Sequence, residues 1–163
     1  MTDKITMKSS TIHGNGVYAA VDLDIDETVI EYKGKLRTHV EADNLYDGQL
    51  SSGHTFLFTL NEQYLIDANV HGNIARWINH SCNPNCRAYL VEDPLGDLRK
   101  DRIFIETIRP ISVGEELTYD YGIVLQERHT QRLKKIWKCR CGDEQCTGTL
   151  LKDKSKRRLT SVA

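Results

Sequence analysis

The sequence lacks the features that mark membrane, secreted and repetitive proteins. Its apolar runs are far too short to span a bilayer, and its N-terminus, MTDKITMKSS, has no apolar segment typical of a secretory signal. It contains no repeats, no Gly/Ser/Pro linker and only three prolines. These absences predict one globular domain, for which 163 residues are enough to bury a hydrophobic core.

The five cysteines, an odd number in a chain without a secretory signal, argue against a disulfide framework, so metal binding or catalysis is the favoured use. The stretch KCRCGDEQCTGTLL carries a C-x-C-x4-C pattern at Cys139, Cys141 and Cys146. A closed structural zinc site needs four ligands, so the fourth must come from another part of the chain. The candidate donors in the sequence are Cys82, Cys86 and His80.

The net charge of −1 conceals an uneven distribution. Residues 126–163 hold eleven Lys/Arg and four Asp/Glu, whereas residues 1–125 hold eleven and nineteen. The acidic body favours a basic partner through electrostatic steering. The basic end could contact nucleic acid or act as a weak nuclear signal, but a solvated terminus is the favoured interpretation, so direct nucleic-acid binding is not expected. No membrane partner is expected either, because the apolar runs are too short.

Short β-branched and aromatic runs bounded by Gly, Asp or Asn recur along the chain and predict a mainly β fold with a few short helices. Strands are expected at residues 16–21, 28–33, 55–60, 64–68, 87–91, 102–108 and 117–119. One helix should begin after Thr38, which forms a capping box with Glu41. A second, polar helix is expected on the surface at residues 127–136.

The string RWINHSCNPNC at residues 76–86 fits neither an amphipathic helix nor a half-buried strand. A nucleophile at Ser81 or Cys82 with His80 as its base is disfavoured, because consecutive side chains diverge. The sequence also lacks the G-x-S-x-G turn of serine hydrolases. A cysteine that binds zinc would, in addition, be unavailable for nucleophilic attack.

Four motifs, in order, resemble the SET-domain family of lysine methyltransferases: HGNGVYA at 13–19, EYKG at 31–34, RWINHSCNPNC at 76–86 and ELTYDYG at 116–122. Residues 66–86 are especially similar to the trithorax-type branch, and KCRCGDEQCTGTLL resembles a post-SET zinc segment. The resemblance implies a SET-domain β-clip fold with a C-terminal pseudoknot. It divides the chain into a SET domain at 1–137, a post-SET segment at 138–154 and a flexible basic tail at 155–163.

The activity implied by this resemblance is S-adenosylmethionine-dependent methylation of a protein lysine, by direct in-line transfer to the neutral amine. A histone tail is the implied substrate. The alternatives are a methyltransferase for a non-histone protein and a catalytically idle binding module that keeps the fold. The sequence predicts an intracellular protein without distinguishing nucleus from cytoplasm, and it leaves the target lysine and the oligomeric state, homodimer included, undefined.

The resemblance also assigns roles to individual residues. Cofactor binding falls to Gly14, Gly16, Tyr18, Asn79, His80, Trp137 and Leu150. The zinc ligands would be Cys82, Cys139, Cys141 and Cys146. The catalytic channel would contain Tyr121, Tyr32 and Tyr119. A Tyr at position 119 favours mono- or dimethylation. Ala88 departs from family members that place another Tyr in the neighbourhood of this position. Cys86 would be a spare buried thiol.

Overall fold

The chain folds into ten short strands, two short α-helices and two 3-10 turns, as described by a computed structural model for residues 3–46, 56–123 and 128–152. The strands are β1 (Ile5–Ser9), β2 (Asn15–Ala19), β3 (Thr28–Glu31), β4 (Lys35–Thr38), β5 (Leu57–Thr59), β6 (Tyr64–Asp67), β7 (Asn79–His80), β8 (Cys86–Val91), β9 (Arg102–Thr107) and β10 (Thr118–Tyr119). The helices are α1 (His39–Leu45) and α2 (Gln131–Ile136). No helix in these ranges is long and apolar enough to cross a membrane.

The strands form four small sheets rather than one continuous sheet. Strands β1 and β2 pair antiparallel, and two three-stranded sheets have the orders β3-β9-β8 and β4-β6-β5. The fourth sheet is the parallel pair β7–β10, in which Asn79 faces Thr118 and His80 faces Tyr119. Parallel strands require a long crossover connection, and this one brings the RWINHSCNPNC and ELTYDYG motifs side by side.

Most of the sheets share one hydrophobic core, and a smaller core lies under the C-terminal segment. The main core contains Val17, Phe58, Ile105 and Leu117, each at most 1% exposed. Full burial of a side chain of this size contributes about 1.5–3 kcal/mol. The smaller core is centred on Trp137, packed with Ile123 and Leu151.

The predicted strands are confirmed with shifted ends, but three strands were missed. Strands β1 (ITMKS) and β4 (KLRT) have mixed polar sequences, and β7 is two residues long and lies inside the unusual central motif. All three are defined by their pairing partners rather than by a period-2 pattern of their own. Position 55, the first residue of one predicted strand, and the predicted tail at 155–163 lie outside the described residues.

The first helix follows its predicted cap and the second is shorter than predicted. In α1 the backbone N–H of Glu41 donates to Thr38 Oγ1 at 3.1 Å, as a capping residue requires. Helix α2 begins only at Gln131, because the hydroxyl of Thr130 caps it by accepting from the Leu133 N–H. Position 127, the predicted start, lies outside the described residues.

Asp67, at the end of β6, ties the sheet β4-β6-β5 to α1. Its carboxylate accepts from Arg37 Nε at 2.6 Å, from the Tyr46 hydroxyl at 2.5 Å and from the Asn69 N–H at 2.9 Å. Burial alone would raise the pKa of Asp67, but the hydrogen bonds from Tyr46 and Arg37 outweigh it and keep the pKa below its usual value. Asp67 is therefore a structural carboxylate of the interior.

Candidate functional site

The three predicted catalytic tyrosines lie together in a row of buried aromatic rings. The ring of Tyr32 contacts Phe58 with 5.1 Å between centroids, Phe58 lies 6.1 Å from Tyr119, and Tyr119 lies 4.9 Å from Tyr121. Tyr32 comes from the segment after β3, Phe58 from β5, and Tyr119 and Tyr121 from β10 and its continuation. Three sheets thus contribute to one group of contacting rings, Tyr32, Phe58, Tyr119 and Tyr121, which is called the aromatic channel after the role that the family resemblance implies.

The phenols of this channel remain protonated at neutral pH. Burial is the main cause that raises the pKa of Tyr32, Tyr119 and Tyr121 above the ordinary tyrosine value. Tyr32 donates to the carbonyl of Phe56 at 3.1 Å and Tyr121 to the carbonyl of Ile78 at 2.5 Å. These hydroxyls can therefore orient a substrate, but none of them can act as a general base near pH 7.

A narrow cleft adjoins the channel at Tyr121. Its lining residues mix apolar, amide and cationic side chains: Ile12, His13, Asn79, His80, Tyr121, Lys138, Arg140 and Leu150. Its volume is about 40 Å³, far below the roughly 300 Å³ at which small-molecule pockets begin. The cleft as it stands is smaller than a nucleoside, and Lys138, Arg140 and Leu150 of the C-terminal segment form one of its walls.

Asn79 lines this cleft and uses the NH2 end of its amide in hydrogen bonds within the protein. Its Nδ2 donates to the carbonyl of Asn15 and to Glu116 Oε1, both at 2.9 Å, and to the carbonyl of His13 at 3.2 Å. Its Oδ1 accepts no hydrogen bond from any described residue. An amide with a fully used NH2 group and an open carbonyl can bind a cationic or N–H donor of a ligand.

His80 connects the cleft to the cysteines. Its Nδ1 accepts from the backbone N–H of Tyr121 at 3.0 Å, and its Nε2 lies 3.5 Å from the sulfur of Cys82. The pKa of His80 is lowered to about 4, mainly by burial, so the ring is neutral at physiological pH. Because Nδ1 is an acceptor, Nε2 carries the proton and points it at the cysteine sulfur.

The four predicted zinc ligands form one cluster. The sulfurs of Cys82, Cys139, Cys141 and Cys146 all lie within 4.8 Å of one another. Cys82 lies 3.8 Å from Cys139 and 3.9 Å from Cys146. A tetrahedral zinc ion with Zn–S bonds of about 2.3 Å separates its sulfurs by about 3.8 Å, so the donor set fits this metal.

Cys86, a candidate from spacing alone, lies outside the cluster. It is 1% exposed at the start of β8, where it pairs with Thr107. Burial raises the pKa of its thiol to about 12. Cys86 therefore behaves as a small apolar core residue.

Other predicted cofactor residues differ in how close they lie to the cleft. Leu150 lines it, whereas Trp137 is fully buried in the smaller core, where its Nε1 has no hydrogen-bond partner among the described residues. The hydroxyl of Tyr18 donates to the carbonyl of Ser9 at 3.0 Å. Gly14 has a positive φ of 49°, which glycine adopts without strain, and Gly16 lies against Glu116.

Sequence reasoning missed several residues of the site. Lys138 and Arg140 alternate with the zinc-type cysteines, so the cysteine pattern alone could have indicated that they face the opposite side of this segment. Glu116 stands in the ELTYDYG motif, but nothing in the sequence indicated its hydrogen bond to Asn79, which is 37 residues away.

Comparison with known proteins agrees with this geometry. The family described as "SET domain" matches residues 14–122. The chain is 37% identical over 150 residues to histone-lysine N-methyltransferase SETD1 of Drosophila melanogaster, which covers 90% of this chain and 8% of that protein. It is 38% identical over 143 residues to an H3 lysine-4 specific histone-lysine N-methyltransferase of Emericella nidulans, covering 86% and 11%.

A similar fold is also found among solved structures. The fold is similar to that of ctPRC2 in an autoinhibited conformation bound to S-adenosylmethionine, with a TM-score of 0.65 and 31% identity over 75% of this chain and 15% of that one. The class of protein defined by the fold and the site is a mainly β domain with an aromatic channel beside a ligand cleft. The chain belongs to the SET-domain family, and it spans about a tenth of the length of the curated relatives it matches.

Proposed function

We propose that this domain is an S-adenosylmethionine-dependent protein-lysine N-methyltransferase that acts on a histone tail. The observation that carries the proposal is the position of Tyr121, which lines the polar cleft and also packs against Tyr119 at the end of the aromatic channel. A methyl donor in the cleft and a lysine in the channel would meet beside this one phenol. Such alignment of two reactants is a large source of catalysis.

The chemistry of the cleft fits a cofactor that carries an amino acid, a sulfonium and a nucleoside. The open Oδ1 of Asn79 would accept from the ammonium group, and Lys138 and Arg140 would pair with the carboxylate. The apolar side chains of Ile12 and Leu150 would contact uncharged parts. Gly14, Gly16, Tyr18, His80 and Trp137 remain further members of the proposed cofactor set.

The target lysine must be neutral before it can attack a methyl group. Its free pKa of about 10.4 makes deprotonation near pH 8 cost roughly 3 kcal/mol. The channel phenols cannot serve as bases, because burial keeps them protonated. A bound sulfonium about 4 Å away would supply repulsion of about 4 kcal/mol at an effective dielectric near 20, which is of the required size.

The cysteine cluster is proposed to hold a structural zinc ion through Cys82, Cys139, Cys141 and Cys146. Four thiolates and no open position are typical of a structural rather than a catalytic site. This metal would join residues 139–146 to the central motif at residue 82. It would thereby hold the wall of the cleft that carries Lys138, Arg140 and Leu150.

A histone substrate is supported by two independent features. Relatives at 34–38% identity are named histone-lysine N-methyltransferases, several of them specific for H3 lysine 4. The first 125 residues carry a formal excess of eight acidic side chains, which attracts basic tails by long-range steering. An intracellular protein that works on chromatin, as part of a larger protein or complex, is the setting proposed with this substrate.

The test combines cofactor binding and methyl transfer in one preparation. Calorimetry with S-adenosylmethionine measures binding to the purified, zinc-loaded domain. Tritium-labelled cofactor with a panel of recombinant histones and a cell lysate, followed by mass spectrometry, identifies the methylated lysine. We expect binding and labelling of a histone tail. Binding without labelling of any protein would support an idle module instead, and absence of binding would overturn the proposal.

A further inference from the structure

We propose that Glu116 is a positioning residue for the cofactor, acting through the amide of Asn79 and the loop that carries His13 and Asn15. This inference rests on the proposed function and extends it to a residue with no place in the predicted site. Glu116 precedes β10 and forms an isolated bridge with Tyr18 of β2. Its carboxylate therefore lies where the N-terminal loop, β7 and β10 converge.

The carboxylate of Glu116 joins residues that are far apart in the sequence. Its Oε1 accepts from the hydroxyl of Ser10 at 2.7 Å and from Asn79 Nδ2 at 2.9 Å, and its Oε2 lies 2.9 Å from the same hydroxyl. Ser10 Oγ in turn accepts from the backbone N–H of Ile12 at 3.0 Å. One side chain thus holds both the loop at residues 10–15 and the amide on β7.

The direction of these hydrogen bonds decides which end of the Asn79 amide, the oxygen or the NH2 group, remains available to a ligand. An ionised carboxylate accepts hydrogen bonds and donates none, and the carbonyls of His13 and Asn15 are also acceptors. All three partners can therefore bind only the NH2 group of Asn79, not its oxygen. A flipped amide would place its oxygen against three oxygens, so Glu116 helps to keep Oδ1 free for the ligand.

Gly16 provides independent support for this role. A Cβ atom at position 16 would collide with Glu116 Oε1 and lie 2.9 Å from Ser10 Cβ, closer than real Cβ atoms approach. Any larger residue at the second glycine of the G-x-G motif would therefore have to displace the carboxylate of Glu116. An alanine at position 16 should displace the carboxylate and loosen its hold on Asn79; because Gly16 also belongs to the proposed cofactor set, Glu116→Ala carries the main weight of the test.

Calorimetry and steady-state kinetics on four variants test the inference. Glu116→Ala removes the acceptor, Gly16→Ala pushes it aside, Ser10→Ala removes only its loop partner, and Glu116→Gln keeps the shape and one acceptor oxygen. We expect the cofactor Kd to rise about 10- to 100-fold for Glu116→Ala, in keeping with the loss of a charged hydrogen bond. Gly16→Ala should behave similarly, and Glu116→Gln should restore much of the binding.

Comparison of the cofactor and peptide constants with the zinc content separates a positioning role of Glu116 from a general loss of structure. The KM for the cofactor should rise in step with its Kd, while the peptide KM and the zinc content stay within twofold. Glu115→Gln is the matched control, because Glu115 is the adjacent carboxylate and pairs with Arg109 on the surface. This control should leave every parameter unchanged.

The failure of this inference differs from that of the proposed function. If the unaltered domain binds no cofactor, the proposed function fails. If it binds cofactor while folded Glu116→Ala and Gly16→Ala bind within twofold of it, the inference alone is overturned. Should either variant fail to fold, Ser10→Ala decides: we expect its Kd to rise about threefold, and unchanged binding would overturn the inference.

Discussion

The aromatic channel and the cysteine cluster are built by opposite means. The rings of the channel lie on paired strands or directly after them, and they belong to the main core or pack against it. Residues 138–152 contribute no strand to the four sheets; single-residue bridges such as Leu151–Ile123, the smaller core and the ion pair between Lys152 and Asp120 link them to the rest of the chain. The channel therefore rests mainly on the large apolar core, whereas the C-terminal segment has only a small core and little paired backbone, so we expect it to depend more on the metal.

Removal of the metal should have the largest effect and should separate the two regions. Chelation, or Cys141→Ser, is expected to release residues 138–152 and to weaken cofactor binding more than 100-fold, since Lys138, Arg140 and Leu150 lose their position. A structural zinc site contributes about 10–16 kcal/mol of apparent folding free energy in small modules. Zinc analysis, hydrogen exchange and calorimetry measure the result.

A matched variant shows whether the effect belongs to the cluster. Cys86→Ala removes a thiol of the main core and should retain zinc and cofactor binding. The hydrogen-exchange protection of β8 and β9 should persist after chelation, because these strands depend on the main core. Full cofactor binding by the zinc-free domain would contradict the contrast between the two regions.

Tyr121→Phe should give the next largest effect, this time on chemistry alone. The ring keeps its packing against Tyr119 and His80, but the hydroxyl that donates to Ile78 is lost. We expect turnover to fall at least tenfold while the cofactor Kd changes less than twofold, as measured by labelled methyl transfer and calorimetry. Tyr89→Phe, which removes a surface hydroxyl paired with Thr28, is the control. Undiminished turnover would remove Tyr121 from the catalytic role.

Asp67→Asn should destabilise the region that contains the sheets and the main core. Loss of one partner in a buried ion pair costs about 3–5 kcal/mol, and Asp67 is fully buried with Arg37 at 2.6 Å. For a domain of this size the midpoint of thermal unfolding should fall by roughly 10 °C, as measured by calorimetry. Asp97→Asn, which breaks the exposed pair with Arg99, should leave the midpoint nearly unchanged. Equal shifts in both variants would contradict the structural role of Asp67.

The same carboxylate predicts a direction for the dependence of stability on pH. Because the pKa of folded Asp67 is below its unfolded value, its stabilising contribution is present above the unfolded pKa of about 3.9 and is lost as the pH falls through the folded pKa. The unaltered protein should therefore lose more stability than Asp67→Asn on acidification below about pH 5. Urea unfolding across this range measures the difference, and parallel curves would exclude Asp67 as a source of acid sensitivity.

The strands are easier to predict from the sequence than the contacts between them, and the tyrosines of the channel were identified through the family resemblance rather than from a pattern in the chain. Short β-branched runs such as YLID and RIFIET carry their own strand signal, and three clustered cysteines demand a fourth ligand. The pairing of β7 with β10 cannot be predicted from pattern, since a two-residue strand exists only through its partner. The bond from Glu116 to Asn79 depends on the same pairing, so it is invisible until the fold is known.

Tyr119→Phe should have the smallest effect on rate and a visible effect on product. Tyr119 is 4% exposed, and its hydroxyl forms no hydrogen bond with a described residue, so it is available to hold a water molecule in the channel. Removal of the hydroxyl leaves room for another methyl group on the lysine. We expect turnover to change less than threefold while mass spectrometry detects a shift from mono- and dimethyl-lysine towards trimethyl-lysine. An unchanged product distribution at unchanged rate would exclude Tyr119 as the determinant, and would direct attention to the space beside Ala88 on β8.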